Sequence, residues 1–162
     1  MINQKTKWLI IFLLFVSQVI LLSCAIPKQE PKIDDVEDSN INNQVHAKVY
    51  ELMNTFKTVR PVFLEIRSFT PNAIVFKNNF SVRIFQQTNN GWKEITEEPT
   101  TRLPEDDIVF SPDKGTLQVF AVHPHLDDYT HNVQLRIYVI GDMQTDQGTT
   151  KVAAYADVTL HP

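Results

Sequence analysis

One cysteine, Cys24, stands in a chain of 162 residues, so no internal disulfide is available and a folded part must be held by its core. Glycine is scarce as well, four in all, and none belongs to a loop able to cradle phosphate, which argues against nucleotide binding. Positive charge is short: 15 Lys and Arg stand against 19 Asp and Glu, a formal net charge of -4. Nucleic-acid binding asks for clustered Lys and Arg, and no such cluster is present. No serine sits in a nucleophile-elbow context. The carboxylate pairs Glu97-Glu98 and Asp106-Asp107 are adjacent in extended segments, where neighbouring side chains point to opposite faces. They cannot flank one glycosidic bond together. The expectation is a chain that is not an enzyme and uses no cofactor. What remains, 43% hydrophobic and 21% charged residues, is an ordinary globular balance with room for one domain and a real core.

The N-terminus carries the most organised pattern. Lys5 and Lys7 precede an apolar run from Trp8 to Val16, which resumes after Ser17 and Gln18 from Val19 to Leu22. This is the charge-then-apolar layout of an export signal. A membrane-spanning helix needs about 20 apolar residues, and Trp8 to Leu22 supplies 15 with two polar interruptions. The run ends on Leu21-Leu22-Ser23-Cys24, which resembles the lipobox of bacterial lipoproteins: an aliphatic residue at the third position before the cut, a small residue just before it, then cysteine. The resemblance implies that residues 1–23 are a signal peptide cleaved between Ser23 and Cys24, and that Cys24 carries a diacylglycerol on sulfur and acyl chains of the palmitate kind. Two or three acyl chains, each adding about 0.8 kcal/mol per buried methylene, anchor stably where one does not. It places the protein in a bacterial cell envelope, held to a membrane. Ala25, where an aspartate retains many such proteins at the inner membrane, favours the outer membrane in a cell that has two. Cleavage leaves 13 basic and 19 acidic residues, a net charge near -6.

From Cys24 to Asn43 the chain reads as a lipidated cysteine and flexible tether. Pro27 and Pro31 are followed by Asp34, Asp35, Glu37 and Asp38, and Ile26, Ile33, Val36 and Ile41 are too sparse to bury a face. A free stretch of that length reaches roughly 25 Å and lifts a domain clear of the headgroups. The acidic run lacks the Asp/Asn-Gly spacing of a calcium loop.

Residues 44–162 form the domain. Val45, Val49, Leu52 and Phe56 recur at steps of four and three, the spacing of a short amphipathic helix capped by Asn42 or Asn43. After Pro61 the period becomes two. Val62-Leu64-Ile66, Ile74-Phe76, Phe80-Val82-Ile84, Trp92 to Ile95, Ile108 to Phe110, Leu117-Val119-Ala121, Val133 to Val139 and Val152 to Leu160 read as strands. Asn89-Asn90-Gly91 is a hairpin turn and Pro112-Asp113-Lys114-Gly115 another. Seven or eight short strands at regular spacing predict an all-β fold, an antiparallel β-sandwich preceded by that one short helix. The arrangement resembles an immunoglobulin-like or fibronectin type III-like domain, without the Cys…Trp…Cys framework of the disulfide-bonded branch.

Two features invite a functional reading. His123-Pro124-His125-Leu126-Asp127-Asp128, with His131 close by, superficially resembles the zinc motif of the metallo-β-lactamase fold. That motif continues with histidine where Asp128 stands and needs ligands far downstream, where this chain has only His131 and His161. His123, His125 and His131 are therefore weak metal candidates, and the expected state is a polar loop with no metal. Phe63, Phe85, Phe120, Tyr138 and Tyr155 fall on the second face of strands whose first face is already apolar, either buried under the N-terminal helix or available to a partner. The expected function is a lipid-anchored, non-catalytic sandwich that binds an envelope protein partner or supports an assembly. The alternative is a solute- or glycan-binding lipoprotein that serves a transporter or surface enzyme.

Overall fold

The computed structural model describes residues 30–50, 61–96, 107–111, 113, 115–127 and 130–162. Among them are nine strands: β1 (Val45–Val49), β2 (Val62–Ser68), β3 (Ile74–Phe76), β4 (Arg83–Thr88), β5 (Gly91–Glu94), β6 (Ile108–Phe110), β7 (Leu117–Val122), β8 (Val133–Thr145) and β9 (Gly148–Leu160). They form two antiparallel sheets. One has the order β1-β2-β7; the other runs β5-β4-β8-β3-β6, with β9 along β8. The fold is an all-β sandwich.

β8 organises the larger sheet. Its first half pairs with β4 from Leu135 to Tyr138, and its second half pairs with β3 at Asp142 and Met143. β9 follows the whole of its other edge, from Val133↔Leu160 to Thr145↔Gly148. The two hairpins of this sheet close by one device. In Thr88-Asn89-Asn90-Gly91 and Thr145-Asp146-Gln147-Gly148 the threonine hydroxyl donates to the glycine carbonyl at 2.8 Å and accepts the amide two residues on. The glycines take φ of 115° and 122°, a backbone region nearly closed to residues with a Cβ.

Alternation then sorts the side chains. Val133, Leu135, Ile137 and Val139 of β8 and Val152, Ala154 and Ala156 of β9 face Val45, Leu64, Ile66 and Val122 of the smaller sheet. A phenylalanine cluster joins the layers: Phe76 meets Phe110 and Phe80 at 5.0 and 5.1 Å, and Phe80 stacks on Phe120 at 4.1 Å. Gly141 leaves the room that Ile74 and Phe76 fill, since a Cβ there would lie 2.7 Å from Ile74 Cγ2.

Four expectations need correction. Val45–Val49 is a strand, not a helix: it pairs with β2 from Val45↔Ser68 to Val49↔Leu64. Leu52 and Phe56 lie outside the described residues. Phe80 is in a 3-10 turn, Asn78–Ser81, with φ of 51°, so the chain bends into the core there and β4 begins only at Arg83. In β7 the inward residues are Phe120 and Val122, partnered by Leu64 and Val62, while Leu117, Val119 and Ala121 take the outer face. Finally, residues 30–43 are not free chain. Ile33 and Val36 are 3% and 7% exposed and pack on Phe85, Tyr138, Ile140 and Ala153. They strap the outer face of the larger sheet.

Candidate functional site

The strapped face is built from the outward residues of β4, β5, β8 and β9. Phe85, Arg136, Tyr138, Ile140, Ala153, Tyr155 and Asp157 share it by register. At its centre is Arg136, 8% exposed. A buried guanidinium needs its donors engaged, and here they are. Nε and Nη2 donate to the two oxygens of Asp157 at 2.7 and 2.9 Å, and Nη1 donates to Glu30. The cation lies over the rings of Tyr155 at 4.1 Å and Trp92 at 5.0 Å, a favourable cation–π arrangement. The hydrogen bonds it donates to Asp157 hold Arg136 still more firmly protonated than a free guanidinium.

The strap is fastened along its length. The Tyr138 hydroxyl donates to the Pro31 carbonyl at 3.3 Å, and burial pushes this phenol above its ordinary range. Asp35 lies 3.8 Å from Lys151. Ile41 makes a parallel bridge to Ala153 on the free edge of β9. Asn42, at φ 54°, donates its amide to the Ala153 carbonyl and accepts the Tyr155 amide through Oδ1, both at 2.9 Å.

Where the strap's N-terminal end meets the sheet there is a polar recess of about 370 Å³, lined by Glu30, Gln87, Trp92, Gln134, Arg136 and Asp157 among others. It offers amides and an aromatic ring. Its two carboxylates, Glu30 and Asp157, both accept from Arg136.

The opposite face of the sandwich, the outer side of β1-β2-β7, differs. Its cross-strand rows are His46-Arg67-Leu117 and Lys48-Glu65-Val119. Glu65 is buried between Lys48 at 3.4 Å and Arg67 at 3.3 Å. Phe69 stands against the His46 ring at 4.6 Å. Phe69 is 59% and Leu117 47% exposed, the exposed large hydrophobics among the described residues. A shallow recess of about 270 Å³ lies between Phe69, His46, Lys48 and Arg67.

His123 and His125 lie between β7 and β8, the first half-buried and the second exposed, and His131 is exposed just before β8. Among the described residues no three His, Cys, Asp or Glu side chains gather as a metal site. Ser23, Cys24, the apolar run before them, Asp128, the Glu97-Glu98 pair and Asp106 lie outside the described residues. Of the five second-face aromatics, Phe85, Tyr138 and Tyr155 do form an outer cluster, Phe120 is core, and Phe63 is half-buried on the outer side of the smaller sheet. Sequence reasoning missed Arg136. Its one signal is a lone cation in register with apolar neighbours, Arg136 before Tyr138 and Ile140. No family model, no curated protein and no solved structure matches this chain.

Proposed function

We propose that this is a lipid-anchored envelope protein whose sandwich is a non-catalytic binding module for another protein. The anchor rests on the signal layout and Leu21-Leu22-Ser23-Cys24. The binding role rests on one observation, the outer face of β1-β2-β7, where Phe69 and Leu117 are exposed beside Lys48 and Arg67. On a chain with an acidic excess, these two cations share the single carboxylate of Glu65, and the net positive charge left beside apolar side chains suits a partner surface that presents apolar residues rimmed by carboxylates.

The test compares two forms of the lipidated protein solubilised from membranes in mild detergent. A protein recovered with the wild type, and lost with the Phe69→Ser, Leu117→Ser double variant at unchanged melting temperature, supports the reading. Recovery that ignores the double variant removes this face from the account. The solute- or glycan-binding reading is favoured by the Trp92 recess alone, where an aromatic ring stands beside the Gln87 and Gln134 amides. It expects a melting temperature that rises with a sugar and is insensitive to Phe69 and Leu117.

A further inference from the structure

A free tether of nineteen residues would let the domain turn any side to the lipid. The strap changes the length available. With Glu30 held on Arg136, only residues 25–29 separate Cys24 from the folded domain. Whatever their conformation, the six steps from Cys24 to Glu30 span at most about 22 Å. A domain of this size is about 35 Å across by the scaling of compact chains. The reach is shorter than the body it restrains, so the far side cannot be brought to the bilayer.

We propose that the strapped face of the larger sheet, at the end where Glu30 meets Arg136, is the membrane-facing surface, with Trp92 and the recess beside it directed at the lipid headgroups. This rests on the reading of Cys24 as lipidated. The chemistry at that end suits an interface. Trp92 is half-buried, an aromatic ring with a polar edge of the kind that settles at headgroup depth. Around it, Gln87, Gln134 and Thr159 supply neutral hydrogen-bonding groups beside the ion pairs of Arg136 with Glu30 and Asp157. The smaller sheet packs on the opposite side, so its outer face, with Phe69 and Leu117, is turned away from the lipid and toward whatever the envelope presents there. The strap thus sets orientation: it converts an anchor, which fixes only location, into a mount.

The experiment uses a property of the chain itself. It has two tryptophans, Trp8 and Trp92. Cleavage before Cys24 removes Trp8, so the mature protein emits from Trp92 alone. Lipidated protein is reconstituted into phosphatidylcholine vesicles with and without a nitroxide-labelled headgroup lipid. The expected result is a loss of Trp92 emission in the labelled vesicles. A flexible Gly/Ser spacer of about twenty residues, inserted between Ala25 and Ile26, restores reach; it should abolish that loss while the protein still floats with the vesicles. Emission indifferent to the nitroxide in floating, lipidated protein overturns the orientation and leaves the anchor standing. Quenching that persists undiminished with the spacer keeps the orientation and overturns the short reach as its cause. Mature protein that carries no lipid by mass and does not float overturns the anchor reading and this proposal together.

Discussion

Replacing Ile33 by alanine separates a strap from a tether by a measurable free energy. Ile33 is 3% exposed and packs in the outer cluster with Val36, Phe85, Tyr138, Ile140 and Ala153. The substitution removes three carbons, and at about 0.8 kcal/mol for each buried methylene the transfer loss is about 2.4 kcal/mol. The strap is a single layer of chain and can settle into part of the space, so the expected cost is about 2 kcal/mol, at the low end for a large-to-small change. Val36→Ala removes two carbons and should cost about 1.5 kcal/mol by the same reasoning. The two should not add. Once the strap lets go, nothing further is lost by weakening it, so the double variant saturates at the strap's own contribution. The assay is urea unfolding of the chain from residue 25 onward, made without lipid and followed through Trp92, which packs against this cluster. Hydrogen exchange reports the same event locally. The Tyr155 amide, held by Asn42 Oδ1 at 2.9 Å, should exchange faster in both variants. Single variants within about 0.5 kcal/mol of wild type, the range of ordinary surface changes, with the Tyr155 amide unchanged, would refute the strap and return residues 30–43 to a tether.

Gly141→Ala places a methyl 2.7 Å from Ile74 Cγ2 and 2.9 Å from Phe76 Cε1; overpacking of this kind costs about 1–3 kcal/mol, read as a lowered melting temperature, and an unchanged one contradicts the packing of β3 on β8. Arg83 grips both oxygens of Glu94 at 2.8 and 2.6 Å and holds that carboxyl below its ordinary value of 4.5. The contribution is therefore present above that value and lost as pH falls through the lower folded one. Because Glu94 is more than a third exposed, it is within about 1 kcal/mol. Glu94→Gln should show its stability deficit at neutral pH and close on the wild type in acid, and a deficit that grows in acid contradicts the sign. Micromolar zinc should leave the melting temperature unchanged; a rise of several degrees, lost in the His123→Ala, His125→Ala double variant, would make that loop a metal site.

The strands legible in the sequence are those with one strictly apolar register. Val133-Leu135-Ile137-Val139 and Val152-Ala154-Ala156 could be assigned to the core from alternation alone, and Asn89-Asn90-Gly91 gave the turn between β4 and β5. The failures have physical causes. Val45 and Val49 are four apart, a step in phase with both a helix of period 3.6 and a strand of period 2, so the spacing could not separate them. What decides is pairing with Leu64, Ile66 and Ser68, nonlocal by nature. In β7 both registers are apolar, Leu117-Val119-Ala121 against Phe120-Val122, and the stack of Phe80 on Phe120 selects the second. The strap was hidden because its two buried residues sit in an acidic run with no period at all. Their partners, Phe85, Tyr138, Ile140 and Ala153, lie far along the chain, and a sparse apolar pair becomes a buried one only where a complementary patch is waiting. Arg136 is illegible for the same reason: its role depends on Glu30 and Asp157, which no local pattern brings together.

The most direct measurement on the central claim is the mass of the mature N-terminal peptide, released by protease from the protein extracted out of bacterial membranes. The account expects that peptide to begin at Cys24 and to carry a thioether-linked diacylglycerol, with none of it recovered from a Cys24→Ser variant, whose precursor keeps residues 1–23. A peptide that begins elsewhere, or one that begins at Cys24 with an unmodified thiol, contradicts the lipid anchor on which the orientation of the sandwich depends.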